Sequence, residues 1–275
     1  MNQSDFSDAG LVKLHDELWL QRQRIAGKIA SEAISLLTKQ VKEKTTKSLV
    51  ELNLMAEEYI LSQEGCTPTF KGYKGFPAGV CISVNKQLVH GIPTDYVLKD
   101  GDLVSFDLGV TYQGAIADTA STMIYGTAKN AQEIELVKTC RDSLYQAIKT
   151  IQIGKQLGSI GFSIYKFVTS KSNFKVITPY GGHGLDYDMP HAAPFVCNKA
   201  KQTEGIRMQP GLAIAIEPLL AIGSDKTKVD KDGWTVLTES LSSHTEHSIF
   251  LHQDSVEIIT WREEEKDDIA PRIYF

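Results

Sequence analysis

The chain has little cysteine, no long apolar run, no excess of positive charge and no periodic short repeat. Its four cysteines, Cys66, Cys81, Cys140 and Cys197, lie far apart and form no CxxC pair. That argues against a disulfide framework or a zinc ribbon and predicts reduced thiols in a cytoplasmic protein. The most apolar stretch, Leu212 to Ile222, is interrupted by Glu217 and Pro218. It is too short to span a bilayer, which takes about 20 apolar residues. Met1 to Gly10 is polar and acidic. It lacks the basic segment and apolar core of a secretory leader, and residues 1–10 are expected to form a flexible start. The formal net charge is -5 with the signs interspersed. No basic surface points to nucleic acid or an anionic membrane.

The composition is that of an ordinary globular protein. Of 275 residues, 42% are hydrophobic and 23% charged, enough to bury a large core. Leu11 to Lys39 carries Leu14, Leu18, Ile25, Ile29, Ala33, Leu36 and Leu37 at helical spacing. Thr45 or Thr46 is a candidate cap for a second helix ending near Gly65. Further helices are expected over Ala131 to Ile151, with Ile134, Val137, Leu144 and Ile148 on one side, and over Leu157 to Lys171. Val80 to Val89 reads as a strand pair turning at Asn85-Lys86. Leu103 to Tyr112, Leu212 to Ile216 and His244 to Leu251 read as strands. The charge run Arg262 to Asp268 reads as a solvated end segment.

Seven scattered residues stand out: His90, Asp107, Asp118, His183, His191, Glu217 and Glu246. Asp107 sits on an apolar strand, with Asp118 eleven positions on in a small-residue stretch. His183 lies in a Gly-Gly-His-Gly turn, Glu217 ends a strand before Pro218, and Glu246 lies between Thr245 and His247. A carboxylate in an apolar strand is costly unless something pairs with it. Any one of these acids has a duller reading. Asp118 could cap a turn, Glu217 could end an edge strand, and Glu246 could pair with a lysine. Together, four carboxylates and an imidazole match the charge of two divalent cations. One internal echo supports a paired design. Gly101 precedes Asp107 by six residues, as Gly211 precedes Glu217, and small residues share the acidic face of both strands.

These motifs resemble those of type I methionine aminopeptidases, from about Leu11 to Trp261. The matching elements are Phe76-Pro77, Val80 to Asn85, His90-Gly91-Ile92-Pro93, Gly101-Asp102 with Asp107, Asp118-Thr119, Gly182-His183-Gly184, Ile216-Glu217-Pro218 and Glu246-His247. The resemblance implies an α+β pita-bread fold, with pseudo-twofold half-domains and a curved antiparallel sheet covered by helices. It implies one catalytic domain over 11–262 and a charged tail over 263–275. As cofactors it implies two divalent metal ions per chain (Co, Mn, Fe or Zn). Asp107, Asp118, His183, Glu217 and Glu246 would be the ligands, with Asp118 and Glu246 bridging.

The implied activity is removal of the initiator methionine from nascent polypeptide N-termini when the second residue is small. A hydroxide shared by the two ions would be the nucleophile, and Glu217 the proton shuttle. His191 would steady the oxyanion and His90 the scissile amide. Phe70, Tyr73, Phe76, Cys81 and Trp234 would wall the methionine pocket, although without the family match such aromatics read as plain core. Three departures from the family stand in this chain. Phe70 replaces a common cysteine, the Gly184 to Pro190 segment is longer, and the loop from Trp234 to Glu246 is shorter. His15, His244, His247 and His252 read as ordinary hydrogen-bonded histidines. The partner expectations are a monomer, no membrane, no direct nucleic-acid site, and at most a transient ribosome contact. The competing readings are a proline-directed aminopeptidase of the same fold and a catalytically inactive binding module. His90-Gly91-Ile92-Pro93 speaks against the first and the intact ligand set against the second.

Overall fold

The computed structural model describes residues 12–275. The expected flexible start, 1–10, lies outside them, as does Leu11. The chain begins with two helices, α1 (Glu17–Lys42) and α2 (Leu49–Leu61). Strands β1 (Cys66–Pro68), β2 (Val80–Val84), β3 (Gln87–Val89), β4 (Asp102–Tyr112) and β5 (Ala115–Tyr125) follow. After α3 (Ala131–Lys149) and α4 (Gly158–Lys171) come β6 (Lys175–Val176), β7 (Gly182–Asp186), β8 (Met189–Val196) and β9 (Ala213–Ile216). The last strands are β10 (Leu219–Ala221), β11 (Thr227–Val229), β12 (Val236–Thr238), β13 (Ser242–His244), β14 (Glu246–Leu251), β15 (Ser255–Ile258) and β16 (Arg272–Tyr274). None of the described helices is long and apolar enough to cross a membrane.

The main sheet runs β1-β4-β5-β14-β9-β7-β8, with β2 on β4 and with β15 and β16 beyond β14. All its pairings are antiparallel. Strands β5 and β14 meet at its centre, each with an antiparallel neighbour, β4 and β9 respectively. Both outer neighbours start just after a glycine with positive φ: Gly101 at 83° before β4 and Gly211 at 88° before β9. The internal echo in the sequence is therefore a structural one, two halves facing each other across β5 and β14. Side chains alternate across each strand. The bulky face of β4, with Val104, Phe106, Leu108 and Val110, packs into a core with α1 and α2. Ile214 and Ile216 of β9 and Ile249 and Leu251 of β14 pack with α3 and α4. Helices thus cover the outer face, and the acids are left on the inner one.

Several local expectations are corrected. Leu14, ahead of α1, and Leu18 and Ile25 within it are 48%, 55% and 42% exposed. The buried stripe is Trp19, Leu20, Ala26, Ile29, Ala30, Ala33, Ile34, Leu37 and Val41. Close approach decided that stripe, since a Cβ on Gly27 would lie 2.3 Å from the Ile259 carbonyl oxygen. The helix starts at Glu17 because the Asp16 side chain accepts the Trp19 N–H at 2.9 Å. Ser48, not Thr45 or Thr46, caps α2, in a capping box with Glu51. In α3, Ile134 is 56% exposed, while Leu136 and Cys140 join Leu144 and Ile148 inside. The segments β2 and β3 flank Asn85-Lys86 but pair with different strands, β4 and β12. Left-handed Asn85 holds this turn through its side chain, which donates to Asp102 at 2.9 Å and accepts from the Leu103 N–H at 3.0 Å. The charge run is solvated only in part, with Glu263, Glu264, Lys266, Asp267 and Asp268 exposed. Arg262 and Glu265 are buried and joined at 2.7 Å, Tyr145 donates to Glu265 at 2.8 Å, and β16 extends the main sheet.

Candidate metal centre

Strand register alone brings the acids together. Asp107 of β4 and Glu246 of β14 both stand opposite Ala120 of β5. Asp118, two residues before Ala120, shares that face. Ile216 stands opposite His247. Extending that register by one places Glu217 opposite Glu246. Ala120 in the middle, with Gly109 and Ala215 nearby, leaves the space between the carboxylates open. His183 arrives from the neighbouring β7. A Cβ on Gly182 would lie 2.2 Å from the Ala215 carbonyl oxygen, and one on Gly184 would lie 2.0 Å from that of Ala193. Only glycine on both sides lets this backbone come so close.

The five candidate ligands are nearly removed from solvent: Asp107 is 8% exposed, Asp118 1%, His183 2%, Glu217 9% and Glu246 2%. Ligand atoms of Asp107, Asp118 and Glu246 lie within 4.8 Å of one another, as do those of His183, Glu217 and Glu246. His183 Nδ1 is hydrogen-bonded to the Gly184 carbonyl oxygen at 3.1 Å. Its Nε2 faces the acids, 3.6 Å from Glu217, 3.9 Å from Asp118 and 4.0 Å from Glu246. A carbonyl at Nδ1 fixes the proton there and leaves the Nε2 lone pair for a cation.

Buried like charges leave their mark on ionisation. Burial, then Asp118 and Glu217, holds Asp107 well above the carboxylate range. Burial, then Glu217, pushes Asp118 up to about 8. Glu246 is also held well above, by burial and its three acidic neighbours. Glu217 alone falls below its usual value. Burial opposes its ionisation, but His244 and then His183 outweigh that. Asp107 Oδ1, Asp118 Oδ1 and Glu246 Oε1 are buried without a hydrogen-bond partner. Buried polar atoms are rarely left so, and oxygen donors with one imidazole suit hard or borderline divalent cations. The donor set fits bound metal.

A cavity opens onto these residues. Phe70, Tyr73, Phe76, Cys81 and Trp234 line it beside His90 and His191, together with Lys74 and Val89. Phe76 and Trp234 meet edge to face at 5.2 Å, so the shorter loop still delivers the tryptophan. The His191 ring lies 4.5 Å from that of His183 and 5.4 Å from Tyr73, so the longer segment still delivers the histidine. His90 is a left-handed residue at φ 58°, a strained conformation outside glycine. Burial holds His90 and His191 well below the usual histidine range, and hence neutral near pH 7.

The sequence reading missed several residues. His244 is one of them, and its Nε2 lies 3.4 Å from Glu217 and 3.8 Å from Glu246. The Asp118 N–H donates to Ser248 Oγ at 2.7 Å, and that hydroxyl donates back to the Asp118 carbonyl at 2.8 Å. The Thr119 hydroxyl donates to the Glu246 carbonyl at 2.9 Å and accepts from Arg262 at 2.7 Å. These bonds lock β5 to β14, the two central strands. Nothing in their spacing marked them. His15, His247 and His252 keep their ordinary roles, hydrogen-bonded to Leu185, Thr260 and Glu257 respectively.

Known proteins resemble this chain over most of its length. The model of metallopeptidase family M24 matches residues 21–253. A methionine aminopeptidase of Mycoplasma capricolum is 38% identical over 252 residues, covering 91% of this chain and 98% of that protein. A methionine aminopeptidase structure from Rickettsia prowazekii superposes with a TM-score of 0.85 at 32% identity, covering 91% of this chain and all of that one. A prolidase from Pyrococcus furiosus superposes less closely, with a TM-score of 0.72 at 18% identity, covering 92% of this chain and 66% of that one. It shares the fold alone. The pita-bread fold read from the sequence is therefore the fold of this chain. With its acids and imidazole set on the inner face of that sheet, the chain belongs to metallopeptidase family M24 and, within it, to the methionine aminopeptidases.

Proposed function

We propose that the protein removes an N-terminal methionine from nascent polypeptides whose second residue is small, using two divalent cations. The observation that carries this reading is the convergence of Asp107, Asp118, His183, Glu217 and Glu246 beside an aromatic-walled cavity. Glu246 belongs to both carboxylate clusters, as a bridging ligand would, and Asp118 groups with Asp107 and Glu246 on one side and with His183 and His191 on the other. When bound, the cations would lower the pKa of the attacking water. Co, Mn, Fe or Zn would suit this donor set. Phe70, Tyr73, Phe76, Cys81 and Trp234 enclose the methionine side chain, an apolar slot with room for a thioether. Glu217, the one acid of the cluster with a lowered pKa, takes the proton of the attacking water and passes it to the leaving amine. His191, neutral, donates one N–H to the developing oxyanion. His90 holds the scissile amide. The reading includes a cytoplasmic monomer that meets its substrates as they leave the ribosome.

The test is a Met-Ala-Ser peptide with added Mn²⁺, Co²⁺ or Fe²⁺, followed by chromatography of released methionine. Cleavage after methionine is expected, with none for an Xaa-Pro peptide lacking methionine. Cleavage only before proline would favour the proline-directed reading. No cleavage with any metal would favour an inactive binding module.

A further inference from the structure

His244 belongs to neither the ligand set nor the cavity wall, yet it reaches the centre of the site. It is 2% exposed, and its Nε2 has no hydrogen-bond partner. Both of its backbone polar groups are held by one hydroxyl. The His244 N–H donates to Thr122 Oγ1 at 2.9 Å, and that hydroxyl donates to the His244 carbonyl at 2.6 Å. Thr122 also bonds Ser105 at 2.7 Å. The row Ser105, Thr122, His244 thus runs beside the row Asp107, Ala120, Glu246. Leu219 stands opposite His244 in the β10–β13 pair, which continues the register that sets Glu217 against Glu246. The two imidazoles then divide the carboxylate oxygens between them. His183 lies 3.6 Å from Glu217 Oε1 and 4.0 Å from Glu246 Oε1. His244 lies 3.4 Å from Glu217 Oε2 and 3.8 Å from Glu246 Oε2.

We infer that His244 is a positioning residue for Glu217. Its Nε2 faces the Glu217 oxygen turned away from His183 at 3.4 Å and attracts it electrostatically, and so fixes which oxygen remains for the cation and the water. Groups that orient metal ligands in this way typically change metal affinity or activity about 10–100-fold when removed. The role rests on the proposed aminopeptidase reading, but it is also measurable without any peptide. Glutamine can place a donor N–H where the imidazole Nε2–H stands; alanine cannot.

The experiment compares wild type, His244→Ala and His244→Gln. Mn²⁺ is titrated calorimetrically into metal-free protein, and kcat and KM are measured on Met-Ala-Ser with saturating metal. For His244→Ala we expect Mn²⁺ affinity and kcat each to fall roughly 10–100-fold, with KM within about twofold of wild type; His244→Gln should recover most of both. Wild-type affinity and kcat in His244→Ala would overturn the inference. So would a His244→Gln variant as impaired as alanine, since a donor N–H would then not suffice. Should the alanine variant not fold, His244→Met, similar in volume and without a donor, replaces it under the same criteria. A wild-type protein that binds Mn²⁺ but cleaves nothing would sink the aminopeptidase reading, while the affinity comparison would still decide the role of His244.

Discussion

Asp107→Ala and Glu217→Ala are each expected to lower kcat/KM by about a thousandfold or more, because a bound cation supplies several kcal/mol of transition-state stabilisation and each tenfold is 1.36 kcal/mol. The two losses should differ in origin. Asp107 offers only ligand oxygens, so its loss should track Mn²⁺ affinity, and high metal should restore part of the rate. In the proposed mechanism Glu217 also carries the proton, so excess metal should restore little. Peptide kinetics across a metal titration checks both. Wild-type-like rates in either variant would remove these residues from the site. Asp107→Asn carries a second expectation. It replaces a buried carboxyl that burial and its acidic neighbours keep protonated in the metal-free fold with an amide that needs no proton, so it should raise the melting temperature of the metal-free protein while weakening metal binding. That combination separates a functional cluster from a structural one, whose loss would lower stability.

The metal-free protein should also become less stable as pH rises from about 7 to about 8. Asp118 titrates at about 8 in the fold, and Asp107 and Glu246 are held well above the carboxylate range. In the unfolded chain all three lose their protons near pH 4. Between those limits the native state holds protons that the unfolded state has lost, so raising pH favours unfolding. Histidines act in the opposite direction at lower pH. His15, His90, His183, His191 and His247 are all lowered, chiefly by burial, so they add stability as pH rises through the unfolded value of about 6.5. Above pH 7 that contribution is complete and the carboxyl groups decide the slope. Glu217, lowered, contributes stability that is lost only in acid, as pH falls through its native pKa. Added Mn²⁺ should reverse the trend, because ligands bind metal deprotonated. Scanning calorimetry with chelator and with Mn²⁺ reads both slopes. For a chain of this size each kcal/mol moves the midpoint by roughly 2–4 °C. A chelated protein whose midpoint rises between pH 7 and 8 would contradict the buried, metal-free cluster described above. Asp118→Asn should flatten the chelated slope.

The candidate ligands were legible in sequence because each breaks a local rule. Asp107 is a charge in an apolar strand, Glu217 ends another, and His183 sits among glycines that admit no side chain. The echo between Gly101 and Gly211 was legible for a similar reason, since a left-handed turn before a strand calls for glycine. What stayed hidden depends on partners far along the chain. His244 sits in a run of Ser, Thr and His that carries no pattern, and only pairing with Leu219 and Thr122 turns it toward Glu217. Leu18 and Ile25 read as core by spacing, but small residues such as Gly27 and Ala30 let α1 approach the sheet on another face. Arg262 and Glu265 read as solvated because they lie in a charge run. They are buried because each satisfies the other and both join Thr119, Tyr145 and His247 behind the central strands.

The most direct test is anomalous scattering from crystals of the Mn²⁺-loaded protein. Two peaks roughly 3.5–4 Å apart are expected, with Asp118 and Glu246 touching both, Asp107 on one, and His183 with Glu217 on the other. No peak among these side chains, or a single ion that leaves Asp107 or His183 unengaged, would contradict the account.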